Sequence, residues 1–112
     1  MPEGDTVWNS ARRLHEAFAG TTLSHADLRV PRHATADLRE HAVREVVSRG
    51  KHLLMRIEPD LTLHSHLGMD GSWRLRRAGG RLPGPRSPRV RAVLANDGWV
   101  AVGMDLARLD LV

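Results

Sequence analysis

Four short clusters carry the side chains with chemistry to offer. The chain opens Met1-Pro2-Glu3, and a proline at position 2 is small enough for the initiator methionine to be trimmed. That would leave a secondary amine at the start of the protein. An α-amino group has a pKa of about 8, so a useful fraction is neutral at neutral pH and can attack an electrophilic carbon. The iminium formed by a secondary amine holds its positive charge without needing a proton, which makes it a persistent electron sink. Glu3, next to it, can move protons. The same residues also suit an ordinary beginning, because proline is a good first residue for a helix.

The second cluster is Arg49-Gly50-Lys51. Its glycine lets backbone approach a ligand, and its lysine can contact phosphate. Lys51 is the sole lysine among 17 basic residues, the rest being arginine, so a compact ammonium stands where a planar fork is the local default. The third cluster, His66-Leu67-Gly68-Met69-Asp70-Gly71, puts an unbranched apolar side chain at the tip of a glycine-flanked loop. On many proteins such a methionine is only a partly exposed surface residue. On a basic protein it could also act as a wedge, since apolar side chains that push between base steps open a duplex. The fourth is His64 and His66, two apart in a strand and so facing one side. They lack an obvious third ligand and have no cysteine to recruit, which argues against zinc.

The balance of the whole chain fits a polyanionic partner. Net charge is +4 and the pI is about 11.2, although arginine-rich codon usage in a GC-rich genome would also produce that skew. The 112 residues, 41% hydrophobic and 27% charged, bound a single globular domain covering 1–112 and exclude a disordered class. There is no apolar run near the ~18 residues of a membrane span and no signal-peptide pattern, so no membrane partner is expected. The absence of cysteine excludes disulfides and thiolate zinc sites and agrees with a cytosolic setting.

The elements that must position these clusters can be read from periodicity. From Asp5 to Ala19, Val7, Ala11, Leu14 and Phe18 recur on one helical face, with Asp5 or Thr6 as cap and Gly20 as stop. The start of this helix points its free N–H groups towards Pro2, where a phosphate could sit. Thr21 to Val30 reads as extended, ended by Pro31, and Thr35 to His41 as a short helix. Strands follow around Val43, Val46 and Val47, then Leu53 to Ile57 as an interior strand, then Leu61 to His66. Trp73 and Leu75 begin another. Ala78 to Pro88, rich in glycine and proline, is expected to be a mobile loop. Val90, Ala92 and Leu94 alternate before an Asn96-Asp97-Gly98 hairpin turn, with Val100 and Val102 on the return. The resulting class is mainly β, a β-sandwich with flanking helices, one long and N-terminal and one short.

Taken together, Pro2-Glu3-Gly4, Arg49-Gly50-Lys51-His52-Leu53-Leu54 and His66-Leu67-Gly68-Met69-Asp70-Gly71 resemble, in order and spacing, the N-terminal catalytic domain of the Fpg/Nei family of DNA glycosylases. The opening Met1 to Val7 looks most like its endonuclease VIII branch. The resemblance implies base-excision repair by a bifunctional glycosylase and abasic-site lyase. Pro2 would form a Schiff base with the sugar and Glu3 would shuttle protons through β- and δ-elimination. Lys51 would serve the catalytic site by holding a phosphate, with His66 as a second phosphate contact. Met69 would fill the hole left by the flipped nucleotide. The implied partner is damaged DNA, single-stranded or abasic, in the cytoplasm of a bacterium at the nucleoid. The family's helix–two-turn–helix and zinc-finger module is not found in this sequence, so no cofactor is expected here and a partner chain could supply that second half. The family's two further void-filling residues, commonly arginine and phenylalanine, would fall in Met104 to Leu109, which offers Arg108 but no aromatic. Two other readings remain at this stage. One is a non-catalytic DNA- or partner-binding domain. The other is a tautomerase, which also uses an amino-terminal proline but leaves Lys51, Met69 and the arginine excess unexplained.

Overall fold

The computed structural model describes residues 3–29, 37–79 and 88–112, with residues 3–6 described as backbone alone. One helix, α1 (Glu3–Phe18), is followed by eight strands: β1 (His25–Leu28), β2 (Val43–Arg49), β3 (His52–Ile57), β4 (Leu61–His66), β5 (Ser72–Arg77), β6 (Val90–Ala95), β7 (Trp99–Met104) and β8 (Arg108–Leu111). They form two four-stranded sheets, ordered β1-β6-β7-β5 and β2-β3-β4-β8. Every recorded pairing is antiparallel. The mainly β sandwich expected from the alternation is therefore present.

The core follows from the two periodicities. Val7, Ala11, Leu14 and Phe18 are each 3% exposed or less, so the helical stripe read from sequence is the face that packs. Burying each of its larger side chains contributes about 1.5–3 kcal/mol. Leu53, Met55 and Ile57 on β3 and Leu63 on β4 meet this stripe in one cluster with Leu94 and Ala101 of the other sheet. Val43 and Val46 are three apart on β2, a spacing that would place them on opposite faces of a regular strand. A register shift between Val43 and Glu45 adds the residue that turns both inward, as β-bulges do.

Helix α1 is tied down at two places. His15 Nδ1 accepts a hydrogen bond from the Val46 N–H at 3.0 Å, which satisfies a donor on the edge strand β2. At the far end, buried Asn96 donates to the Ala17 carbonyl at 2.8 Å and to Thr21 Oγ1 at 3.0 Å. Its Oδ1 accepts from the N–H groups of Gly98 and Trp99. Asn96 therefore shapes the hairpin between β6 and β7 and also caps the helix C-terminus. The turn residue read from sequence has a second task.

Three expectations change. The helix begins at Glu3 rather than at Asp5, so Asp5 and Thr6 lie in its first turn and do not cap it. The described part of the expected short helix, 37–41, contains a turn and no helix, because His41 and Ala42 are drawn into backbone pairing with Leu23 and Thr22. Thr35 itself lies outside the described residues. Met104 to Leu109, where the resemblance puts a loop with the two further void-filling residues, runs from the last residue of β7 into strand β8, where Leu109 turns inward. The loop expected from Ala78 to Pro88 lies outside the described residues over 80–87, as do Val30 and Pro31.

Candidate nucleic-acid site

The helix sets the direction of the site. Gly20, just past its end, donates to the Val43 carbonyl at 2.7 Å, and His15 meets Val46. Trp8, Ala11 and Arg12 border a shallow groove with Val47 and Ser48. Helix and strand therefore run side by side, and the start of α1 points towards the β2–β3 turn that carries Lys51. Glu3 is the first helical residue, so its backbone and the free N–H groups of the first turn face that end of the sandwich. Pro2 lies outside the described residues, and of Glu3 only the backbone is described.

Lys51 stands in the tight turn Arg49-Gly50-Lys51 between β2 and β3. Gly50 adopts φ 60°, a left-handed conformation that residues with a Cβ rarely take. Arg49 and Lys51 are both exposed. At the start of β3, His52 pairs in register with His66 at the end of β4. The Lys51 turn and the 67–71 loop consequently lie at the same end of the sheet.

That loop presents Met69. Leu67 is buried and anchors it, the Gly71 N–H donates to the Leu67 carbonyl at 2.9 Å, and the Ala107 N–H donates to the His66 carbonyl at 2.9 Å. A Cβ at Gly71 would run into the Leu67 carbonyl oxygen, so glycine is required for the turn to close this tightly. Met69 at the tip is 86% exposed.

His64 and His66 do face one side, as their spacing implies, and a third histidine joins them. His52 Nδ1 lies 2.7 Å from His64 Nε2, and the His52 and His66 rings stack with centroids 4.6 Å apart. Burial, then the His52 charge, lowers the His64 pKa from its ordinary value, with Arg108 and His66 adding to the effect and Asp110 opposing it. Among the described residues no group of three or more His, Cys, Asp or Glu is placed to hold a metal ion. Sequence reasoning missed His52 as a member of this cluster, since only the β3–β4 register shows which residue meets His66. Arg108 begins β8 opposite His66 and donates to Asp110 at 2.8 Å. A further ion pair joins Arg89 and Asp105 at 2.7 Å and holds the Asp105 carboxyl below its usual range. No helix among the described residues is long and apolar enough to cross a membrane.

Comparison with known proteins shows the family and the fold. The sequence matches the formamidopyrimidine-DNA glycosylase N-terminal domain family over residues 1–109. It is 52% identical to the probable endonuclease 8 2 of Streptomyces coelicolor, covering all of this chain and 41% of that protein. It is 46% identical to the DNA-(apurinic or apyrimidinic site) lyase Nei2 of Mycolicibacterium smegmatis, covering all of this chain and 42% of that protein. The chain thus spans about two fifths of the length of these curated relatives. Among solved structures, the Lactococcus lactis formamidopyrimidine DNA glycosylase non-covalently bound to DNA containing an AP site superposes with a TM-score of 0.74. That likeness is at 24% identity, over 99% of this chain and 43% of the other, and it shows a shared fold.

Proposed function

The chain belongs to the formamidopyrimidine-DNA glycosylase N-terminal domain family, and from that premise we propose that it is the catalytic half of a bifunctional DNA glycosylase and AP lyase of base-excision repair. The observation that carries the reading is the meeting of three features at one end of the sandwich. They are the start of α1, the Lys51 turn, and the anchored loop with Met69 86% exposed at its tip.

The chemistry assigned to these residues is as follows. With Met1 removed, the Pro2 nitrogen attacks the sugar C1′ and the bond from C1′ to the base breaks, the base leaving with the electron pair. Glu3 protonates the ring oxygen, the sugar opens, and an iminium joins Pro2 to C1′. The iminium acidifies the C2′ hydrogen. Loss of that proton expels the 3′ phosphate, a second elimination expels the 5′ phosphate, and water then releases Pro2. Lys51 and His66 hold flanking phosphates, while Met69 occupies the gap left by the flipped nucleotide and offsets part of the few kcal/mol of lost stacking.

The substrate assigned to this chain is single-stranded or abasic DNA at the bacterial nucleoid. Duplex substrates would call on a second half supplied by further sequence or by a partner chain, a reading supported by the span of about two fifths of its relatives.

Borohydride tests the proposal by reducing the iminium to a stable amine. Wild-type protein whose intact mass shows Met1 removed should be trapped on abasic DNA. Pro2→Gly should trap far less, and Glu3→Gln should slow turnover by about 10²–10⁴-fold. No trapped product from the correctly processed wild type would sink the lyase assignment. Salt-dependent DNA binding without trapping would favour the non-catalytic binding domain in its place.

A further inference from the structure

The register of the β2-β3-β4-β8 sheet aligns residues that are far apart in sequence. Arg49 is opposite His52, His52 opposite His66, and His66 opposite Arg108. Residues directly opposite one another in a sheet share a face. These four therefore form one row across all four strands, on the side away from inward-facing Leu53, Ser65 and Leu109. Strands are spaced about 4.8 Å apart, so the row is about 14 Å long, comparable to the axial rise of about four stacked nucleotides. Arg49, His52 and Arg108 are exposed, and His66 is half-buried. The row lies beside Lys51 and ends β4 immediately before the Met69 loop.

We propose that Arg49, His52, His66 and Arg108 form a rail for successive phosphates of a DNA strand, and that the neighbouring His52–His64 pair sets its grip by taking up protons. The proposed function supplies the ligand, a DNA strand, while the rail itself rests on the register. At 2.7 Å the His52–His64 contact needs one nitrogen to donate and the other to accept. The pair in this geometry can thus hold one added proton, whereas a second would set N–H against N–H. A phosphate at the row relieves that conflict when one ring turns its N–H out of the contact and donates to the phosphate instead. The charged groups around the pair are Arg49 from β2, opposite His52, Arg108 and Asp110 from β8, and His66 on the same strand as His64, with Lys51 the chain neighbour of His52 in the turn. Arg56, further along β3, donates to Thr62 and lies 4.0 Å from Glu45. Asp110 is the one acidic group in this set, and it is engaged by Arg108. The balance around the pair is cationic, and bound phosphate would reverse it.

The test is fluorescence anisotropy with a short undamaged single-stranded oligonucleotide, using the full chain at constant ionic strength. Affinity should rise about 5- to 10-fold between about pH 8 and about pH 5.5. The His52→Gln/His64→Gln double variant should flatten that response, whereas a His25→Gln/His41→Gln control should keep it. Arg49→Gln/Arg108→Gln should weaken binding at every pH and reduce the salt slope by about 0.7 for each contact removed. Should the double variants fail to fold, NMR of the wild-type His64 ring gives the same answer, its titration midpoint moving upward when DNA is added. A wild-type affinity flat with pH, no binding at all, or a His64 titration unmoved by DNA would overturn the rail. Borohydride trapping keeps the two proposals apart. Trapping with pH-flat binding removes the rail alone, and pH-dependent binding without trapping removes the lyase alone.

Discussion

The two sheets of this protein treat the centres of their outer faces differently. On the β1-β6-β7-β5 sheet, Val90, Val93, Ala95, Val100 and Val102 of the central strands form a second buried cluster behind the main core, with Asp27 and Arg74 opposite Val93 and Val102 on the edge strands. On the β2-β3-β4-β8 sheet the corresponding side carries Arg49, His52, His64, His66, Arg108 and Asp110, none of them buried. A face that loses its water must be apolar, because an unpaired polar group there costs about 1–3 kcal/mol. A face that keeps its water can hold groups whose protonation varies at little cost to folding. Both sheets share the main core, and the second cluster adds to it on one of them, leaving the outer face of the other free to meet a charged ligand.

The sharpest way to break this contrast is the same substitution on both faces. Val93→Gln, at a position 1% exposed, should lose about 2–4 kcal/mol, because a longer polar side chain must enter a buried valine cluster. His64→Gln should lose less than about 1 kcal/mol. Urea unfolding monitored by tryptophan fluorescence measures both, and equal losses would refute the division of labour. Next in size is Asn96→Ala. It leaves the Ala17 carbonyl and the N–H groups of Gly98 and Trp99 without their present partner, at a cost of about 1–3 kcal/mol. Hydrogen exchange at Gly98 and Trp99 should accelerate along with it.

How far the sequence revealed these faces depended on the range of the interactions involved. The packing stripe of α1 and the alternation of β3 and β6 were legible because their signal is local, and Phe18 at 0% exposed and Leu94 at 0% lie where periodicity places them. Strand β8 was not, since Leu109 and Leu111 give only one repeat of a period-two pattern in four residues. Its place follows from pairing with β4, which no local pattern encodes. The same limit hid His52. His64 and His66, two apart, could be assigned one face by counting, but His52 joins them only through the register between two strands. Lys51 and the Met69 loop stood out because unusual residue types sit beside glycines. Why Gly71 must be glycine emerged only with the Leu67 carbonyl in place.

Met69 sharpens the contrast from the other direction, being a hydrophobic residue that belongs to no core. At 86% exposed, Met69→Ala should change stability by less than about 0.5 kcal/mol. If it fills the gap in a duplex, then with the second half supplied the variant should be trapped less well on a duplex carrying an abasic site and about as well as wild type on an abasic single strand, which has no opposing stack to hold open. Borohydride trapping on the two substrates in parallel measures this. Equal losses on both would assign Met69 to general binding instead.

The smallest expected effect concerns the pH dependence of the free protein. His64 titrates below its ordinary value of 6.5, chiefly because burial and then the His52 charge disfavour its cation. In the window below 6.5 the unfolded chain thus binds more protons at this residue than the folded chain does. Its contribution to stability is present above that pH and is lost as pH falls through the lowered value. The urea midpoint of wild type should decline on acidification from about pH 7.5 to about pH 5.5 by a small amount that His64→Gln removes. Adding a DNA strand should reverse the sign, since phosphate at the row favours the same cation that folding alone resists. A His64→Gln midpoint that declines as steeply as wild type would place the pH sensitivity elsewhere and leave the histidine face as inert as the valine one.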